Sequence, residues 1–204
     1  MMKSKAVPWA MWFAVVVAAS VAPRLVAADN RLEFVAPEGL AVIVFIQNVY
    51  EDRAMNFTVF DLNKRCIAEV GGRQAEVVPV KPGEHTLYIT GYKTQRIEAS
   101  LAAGRTYFVR LYTVAKMATR ASQVTLVQRG SDAYKQVGTW LEGARVAHVS
   151  DDRCSGKPLK ERTNRTQRRI DQANADWKEA DDPQRADRML IQLDGLTRSE
   201  LTQL

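Results

Sequence analysis

The run Leu40-Ala-Val-Ile-Val-Phe-Ile46 is apolar throughout and rich in β-branched residues. It is too short for a well-buried helix, so it reads as a central strand covered on both faces. Outward from it, strand-like segments recur between turn signals. Asn56-Phe-Thr-Val-Phe60 and Arg65-Cys-Ile-Ala-Glu-Val70 flank Asp61-Leu-Asn-Lys64, whose Asp and Asn favour a hairpin. Gly71-Gly72 turns the chain toward Ala75-Glu-Val-Val-Pro-Val80. Pro79 cannot donate to a ladder there and implies an edge or a bulge. Pro82-Gly83 carries the residues of a type II turn, Pro presetting one φ and Gly accepting the positive one. His85-Thr-Leu-Tyr-Ile-Thr90 and the polar-faced Gln95-Arg-Ile-Glu-Ala-Ser-Leu101 lead to a turn at Ala103-Gly104. Tyr107-Phe-Val-Arg-Leu-Tyr-Thr-Val114 and Gln123-Val-Thr-Leu-Val-Gln128 follow. This spacing predicts a mainly β fold, an antiparallel β-sandwich of about seven or eight strands.

Beyond Arg129 the pattern changes. Ser131 can cap a short helix through Tyr134, Val137 and Trp140-Leu141. Val146-Ala-His-Val149 fits either a last strand or a linker. From about residue 150 the chain predicts a charged, helical C-terminal extension. Over residues 158–180 its apolar stripe is only Ile170, Ala173, Trp177 and Ala180, enough to dock lightly on a sandwich. Asp182-Pro183 restarts a helix, Gly195 stops it, and Thr197-Arg-Ser-Glu200 has the form of a capping box.

The opposite end reads as a secretory signal. Lys3 and Lys5 precede an apolar centre, and Val26-Ala27-Ala28 offers small residues for cleavage before Asp29. The apolar run over residues 10–22 is shorter than the ~20 residues a membrane-spanning helix needs. The expected layout is a signal peptide over 1–28, a sandwich over 29–149 and the extension over 150–204. A periplasmic or secreted protein without a transmembrane span would result. Cleavage removes Lys3, Lys5 and Arg24, lowering the formal charge from +6 to about +3. The basic balance therefore does not mark a nucleic-acid binder, and no nucleic acid is expected as partner.

Chemistry is sparse. Cys66 and Cys154 are the two cysteines, either bonded in an oxidising compartment or separate thiols. A closed zinc site needs four ligands, and two cysteines without a nearby His do not supply them. His85 and His148 are the only imidazoles, and neither adjoins a nucleophile-elbow motif. The acid pairs Glu51-Asp52, Asp151-Asp152 and Asp181-Asp182 lie in polar stretches where carboxylates are solvated. No catalytic, metal or cofactor residue is assigned. The most pronounced local charge is Lys157, Lys160, Arg162, Arg165, Arg168 and Arg169 against the single acid Glu161. On a helix, Arg162, Arg165 and Arg169 share one side and form a candidate basic contact face.

Val80-Lys-Pro-Gly-Glu-His-Thr-Leu-Tyr-Ile89 followed by Leu101-Ala-Ala-Gly-Arg-Thr-Tyr-Phe-Val-Arg110 carries a resemblance. It resembles the small β-sandwich domains of unknown function in bacterial exported proteins and lipoproteins, PEGA-like in style. Pro82, Gly83, His85, Gly104, Thr106, Tyr107 and Phe108 occupy the pattern's positions, over roughly residues 41–127. The resemblance implies a fold and an exported setting, and no chemistry. The lipid anchor common in such proteins does not carry over, because no Cys follows the apolar centre. Glycines supply turn φ angles, and Thr106, Tyr107 and Phe108 open a strand. His85 packs or hydrogen-bonds beside its turn. The functional expectation is a non-catalytic binding or scaffolding protein of the envelope. The alternative is an accessory that binds peptidoglycan or anionic lipid, and an enzyme comes third.

Overall fold

The computed structural model describes residues 30–49, 55–116, 119–148, 154 and 163–204. The signal segment, both acids of Glu51-Asp52 and of Asp151-Asp152, and Lys157, Lys160 and Arg162 lie outside them. Strand β1 is Ala41–Gln47 and β2 is Asn56–Phe60. Strands β3 to β6 are Cys66–Gly71, Gln74–Val80, Gly83–Thr90 and Thr94–Leu101. Strands β7, β8 and β9 are Thr106–Lys116, Thr119–Leu126 and Arg145–His148, with helix α1 (Asp132–Leu141) between the last two. Helix α2 (Thr163–Glu179), the short α3 (Asp182–Ala186), β10 (Met189–Leu190) and α4 (Arg198–Leu201) close the chain.

Two five-stranded sheets face each other, ordered β8-β7-β1-β4-β9 and β10-β6-β5-β2-β3. Three pairings are parallel: β1 with β7, β4 with β9 and β10 with β6. The sheets are therefore mixed rather than antiparallel, and there are ten strands among the described residues, not seven or eight. The cause lies in the connections. Gly71–Gln74, Val80–Gly83 and Leu101–Thr106 each carry the chain from one sheet to the other, so β7 returns to its sheet running beside β1. Helix α1 instead carries the chain from β8 at one edge of its sheet to β9 at the other edge of the same sheet, where β9 runs parallel to β4; its segment had allowed either a strand or a linker.

The continuous run of β1 is explained by what covers it. Ala41, Ile43 and Phe45 point between the sheets with Phe57, Val59, Leu87, Ile89, Ile97, Tyr107 and Val109. Val42, Val44 and Ile46 point outward, beneath Val137 and Trp140 of α1, Leu201 of α4 and Phe34. Both faces are dry, so alternation disappears. On the far side, α2 lays Ile170 and Ala173 against Phe60 and Tyr88 of the second sheet. Helices thus lie outside both sheets.

Local chemistry sets the boundaries. The Ser131 hydroxyl accepts from Tyr134 N, capping α1. Asp181 caps α3, one residue earlier than the expected Asp182, because its carboxylate reaches Gln184 N while Pro183 sits inside the first turn. Thr197 and Glu200 form the expected reciprocal capping box. Val42 gives its N–H to Arg105 O, so Pro79 opposite it makes no ladder bond with β1. β9 pairs only as far as Val77, so Pro79 lies beyond that ladder as well, where a missing N–H costs nothing.

The C-terminal segment does more than dock. Leu190 is buried in the core between the sheets, and Leu196 and Leu201 are buried under β1. A strand of two residues is too short to leave a periodic signal.

Candidate functional site

The turn residues of the second sheet come first, since they position the rest. Gly91 gives its N–H to Lys93 O, closing the β5–β6 hairpin. Ser122 of β8 pins this tip: its hydroxyl accepts from Lys93 N at 3.0 Å and lies 3.2 Å from Lys93 O. A side chain at position 91 would place its Cβ 2.9 Å from both Phe57 and Ser122, so the close approach requires glycine. The tip leaves Tyr92 49% exposed.

Helix α2 meets this tip. Arg169 Nη1 donates to Gly91 O at 3.3 Å, and Lys93 Nζ pairs with Asp176 at 2.5 Å. Lys93 and Gln172 hydrogen-bond to the Asp176 carboxyl and hold it below the usual carboxylate range. Arg165, one helical turn before Arg169, and Arg168 beside it are exposed, and Arg168 lines a shallow dent with Asn164 and Gln167. Arg120 is exposed on β8, two residues from Ser122. Exposed basic residues are therefore carried by α2 and β8, the two elements bonded to the hairpin tip that exposes Tyr92. Of the three residues of the expected basic face, Arg165 is outward, Arg169 is turned onto the sandwich, and Arg162 is outside the described residues.

The motif residues sit elsewhere and serve backbone geometry. Gly83 and Gly104 have φ of +125° and +72°. His85 Nε2 lies 2.7 Å from Lys81 O, bracing the crossover that Pro82 begins. Thr106 donates its hydroxyl to Phe34 O, and the Tyr107 hydroxyl accepts from Ala102 N at 2.8 Å and donates to Gln192 O at 3.2 Å. Burial, above all, raises the Tyr107 pKa. Phe108 packs on the outer side of the first sheet, edge-on to Phe34. Cys66 and Cys154 are joined in a disulfide, with their Cα atoms 5.2 Å apart. His148 lies 3.8 Å from Glu33, both side chains exposed. Among the described residues no three His, Cys, Asp or Glu side chains gather as a metal site.

Two constellations escaped sequence reasoning. Arg110 stacks between Tyr112 and Trp140, 4.9 and 4.5 Å from the ring centroids, while its Nε donates to Asn48. Burial lowers the Arg110 pKa. Asn174 accepts from both the Tyr88 hydroxyl and Arg96 Nη1 at 2.9 Å. Position 174 follows the stripe residue Ala173 and lies four beyond Ile170, so helical spacing marks its face. Only the sheet beneath reveals its two donors. No protein-family model matches the chain, and a search of curated proteins finds no match.

Proposed function

We propose that this protein is a non-catalytic binding or scaffolding module of the bacterial envelope, exported after cleavage near Ala28, that meets its partner through the basic end around Tyr92. One observation carries the reading. The Arg169–Gly91 bond fastens the basic half of α2, on which Arg165 and Arg168 are exposed, to the hairpin tip that exposes Tyr92. A ring that is apolar in body and polar at its tip, among cations, suits a surface that is wet and anionic. His85, bonded to Lys81 O, has an architectural task in this reading.

The same cations favour a second reading, an accessory that binds peptidoglycan or anionic lipid directly. Crosslinking in cells and sedimentation with purified envelope separate the two. The Arg165→Glu/Arg168→Glu variant is expected to lose most of either interaction while keeping its circular dichroism spectrum. Contact with isolated envelope polymer or lipid that weakens steeply with salt favours the second reading. Unchanged binding by the charge-reversed variant sinks both.

A further inference from the structure

We propose that α2 is a cover over the outer face of the second sheet, latched by the Cys66–Cys154 disulfide, and that a dithiol reductant releases it while the sandwich stays folded. The geometry of the sheet comes first. Its order places β3, which bears Cys66, at one edge and β10 at the other. The chain is bonded to the β3 edge at Cys154, packs α2 against β6, and rejoins the sheet at β10. The cover is therefore held at both edges, covalently at one and by a buried Leu190 at the other.

What lies beneath the helix differs in kind from the core. Among the described residues Ile170 and Ala173 cluster with Phe60, Tyr88 and the half-buried Cys66, and none of these five belongs to the cluster between the sheets. Beside this small cluster the helix makes several polar contacts. Asn174 binds Tyr88 and Arg96, Asp176 binds Lys93, Arg169 binds Gly91, and Arg96 stacks 5.2 Å from the Trp177 ring. The sheet face here also holds Thr86 and Glu98, hydrogen-bonded to each other. Such groups exchange their partners for water at small net cost, whereas opening the core would expose aliphatic side chains. The helix thus has the make-up of a unit that opens separately.

Release is a balanced exchange. One thiolate of the dithiol attacks a disulfide sulfur and forms a mixed disulfide, expelling the other cysteine as thiolate. The second thiol of the reductant then displaces the remaining cysteine. Two electrons and two protons pass to Cys66 and Cys154, and the reductant leaves as its own disulfide. Release also frees the Arg169–Gly91 bond of the basic end, but the device does not rest on what that end binds.

Hydrogen exchange on the full chain, oxidised and in dithiothreitol, tests it. Amides of Thr163–Glu179 are expected to exchange about tenfold faster or more after reduction, with β1 and β7 unchanged. Acrylamide should quench Trp177 more strongly, and Cys66→Ser/Cys154→Ser should show both changes with or without reductant. Unaltered protection of α2 after complete reduction overturns the proposal, and so does its loss together with β1. Should Cys66→Ser/Cys154→Ser fail to fold when it is made, oxidised Ile170→Asp/Asn174→Ala supplies the second variant. Local loss in α2 supports a separately opening cover, and loss throughout the sandwich refutes it.

Discussion

Single residues at the ends of the sandwich hold strands to helices through groups that water would otherwise satisfy. Asp194 is an example: its carboxylate accepts from Ile191 N and Arg129 N, both at 2.8 Å. Glu200 is another. Its bond from Arg129, with help from Thr197, holds its carboxyl at about 2, against 4.5 for the free group. A depressed folded-state value means that the unfolded chain binds protons first as pH falls. The stabilisation is therefore complete above about 4.5 and is lost as pH drops through about 2. Glu200→Gln should lower the melting temperature at neutral pH. Thermal melts across pH should show the gap to wild type closing within that acid window. A gap that persists at pH 2 contradicts the assignment to Glu200.

At the scale of elements, β1 is the part on which both cores depend. It is central in its sheet, pairs with β4 on one side and β7 on the other, and turns apolar side chains both ways. Ile43→Ala removes a fully buried side chain from between two sheets that cannot collapse onto the gap. The expected cost is about 2–5 kcal/mol, measured by chemical denaturation. A loss under about 1 kcal/mol would show that the layers close up. The edges are treated differently. At β10, the Gln128 amide donates to Met189 O and Ala186 O, so a backbone acceptor that would invite another strand is occupied. At β8, Gln95 donates to Ser122 O to similar effect.

For the whole molecule, the disulfide and the last strand make one unit of sandwich and C-terminal segment. Leu190, Leu196 and Leu201 come from beyond residue 188, yet each is 1% exposed within a core that other strands build. Truncation after residue 149 is thus more than removal of a tail. It is expected to destabilise the sandwich by several kcal/mol, on the order of three buried leucines. It should also yield little folded protein by circular dichroism and size exclusion. A truncated chain that melts like the full one would place the segment outside the folding unit.

How much of this was legible in the sequence follows from the range of each signal. Backbone restrictions and alternation act within a few residues, so the β1 run, the Ser131 cap, the turn at Gly104 and the Thr197–Glu200 box could be read directly. The same locality missed β10, two residues long, and misplaced the α3 cap by one position. It also predicted antiparallel neighbours throughout where three pairings are parallel, because both kinds of neighbour share one side-chain period. Strand direction depends on where the chain changes sheets, and that is decided when the two layers meet. The basic end shows the same division. Charge along α2 is a property of its sequence, whereas turning Arg169 inward required a hairpin 78 residues away. Sequence by itself determined which segments could be strands, caps and turns, through short-range sterics and solvation. The tertiary structure alone decided their direction, their partners and the surface they share, because those rest on contacts between residues far apart in the chain.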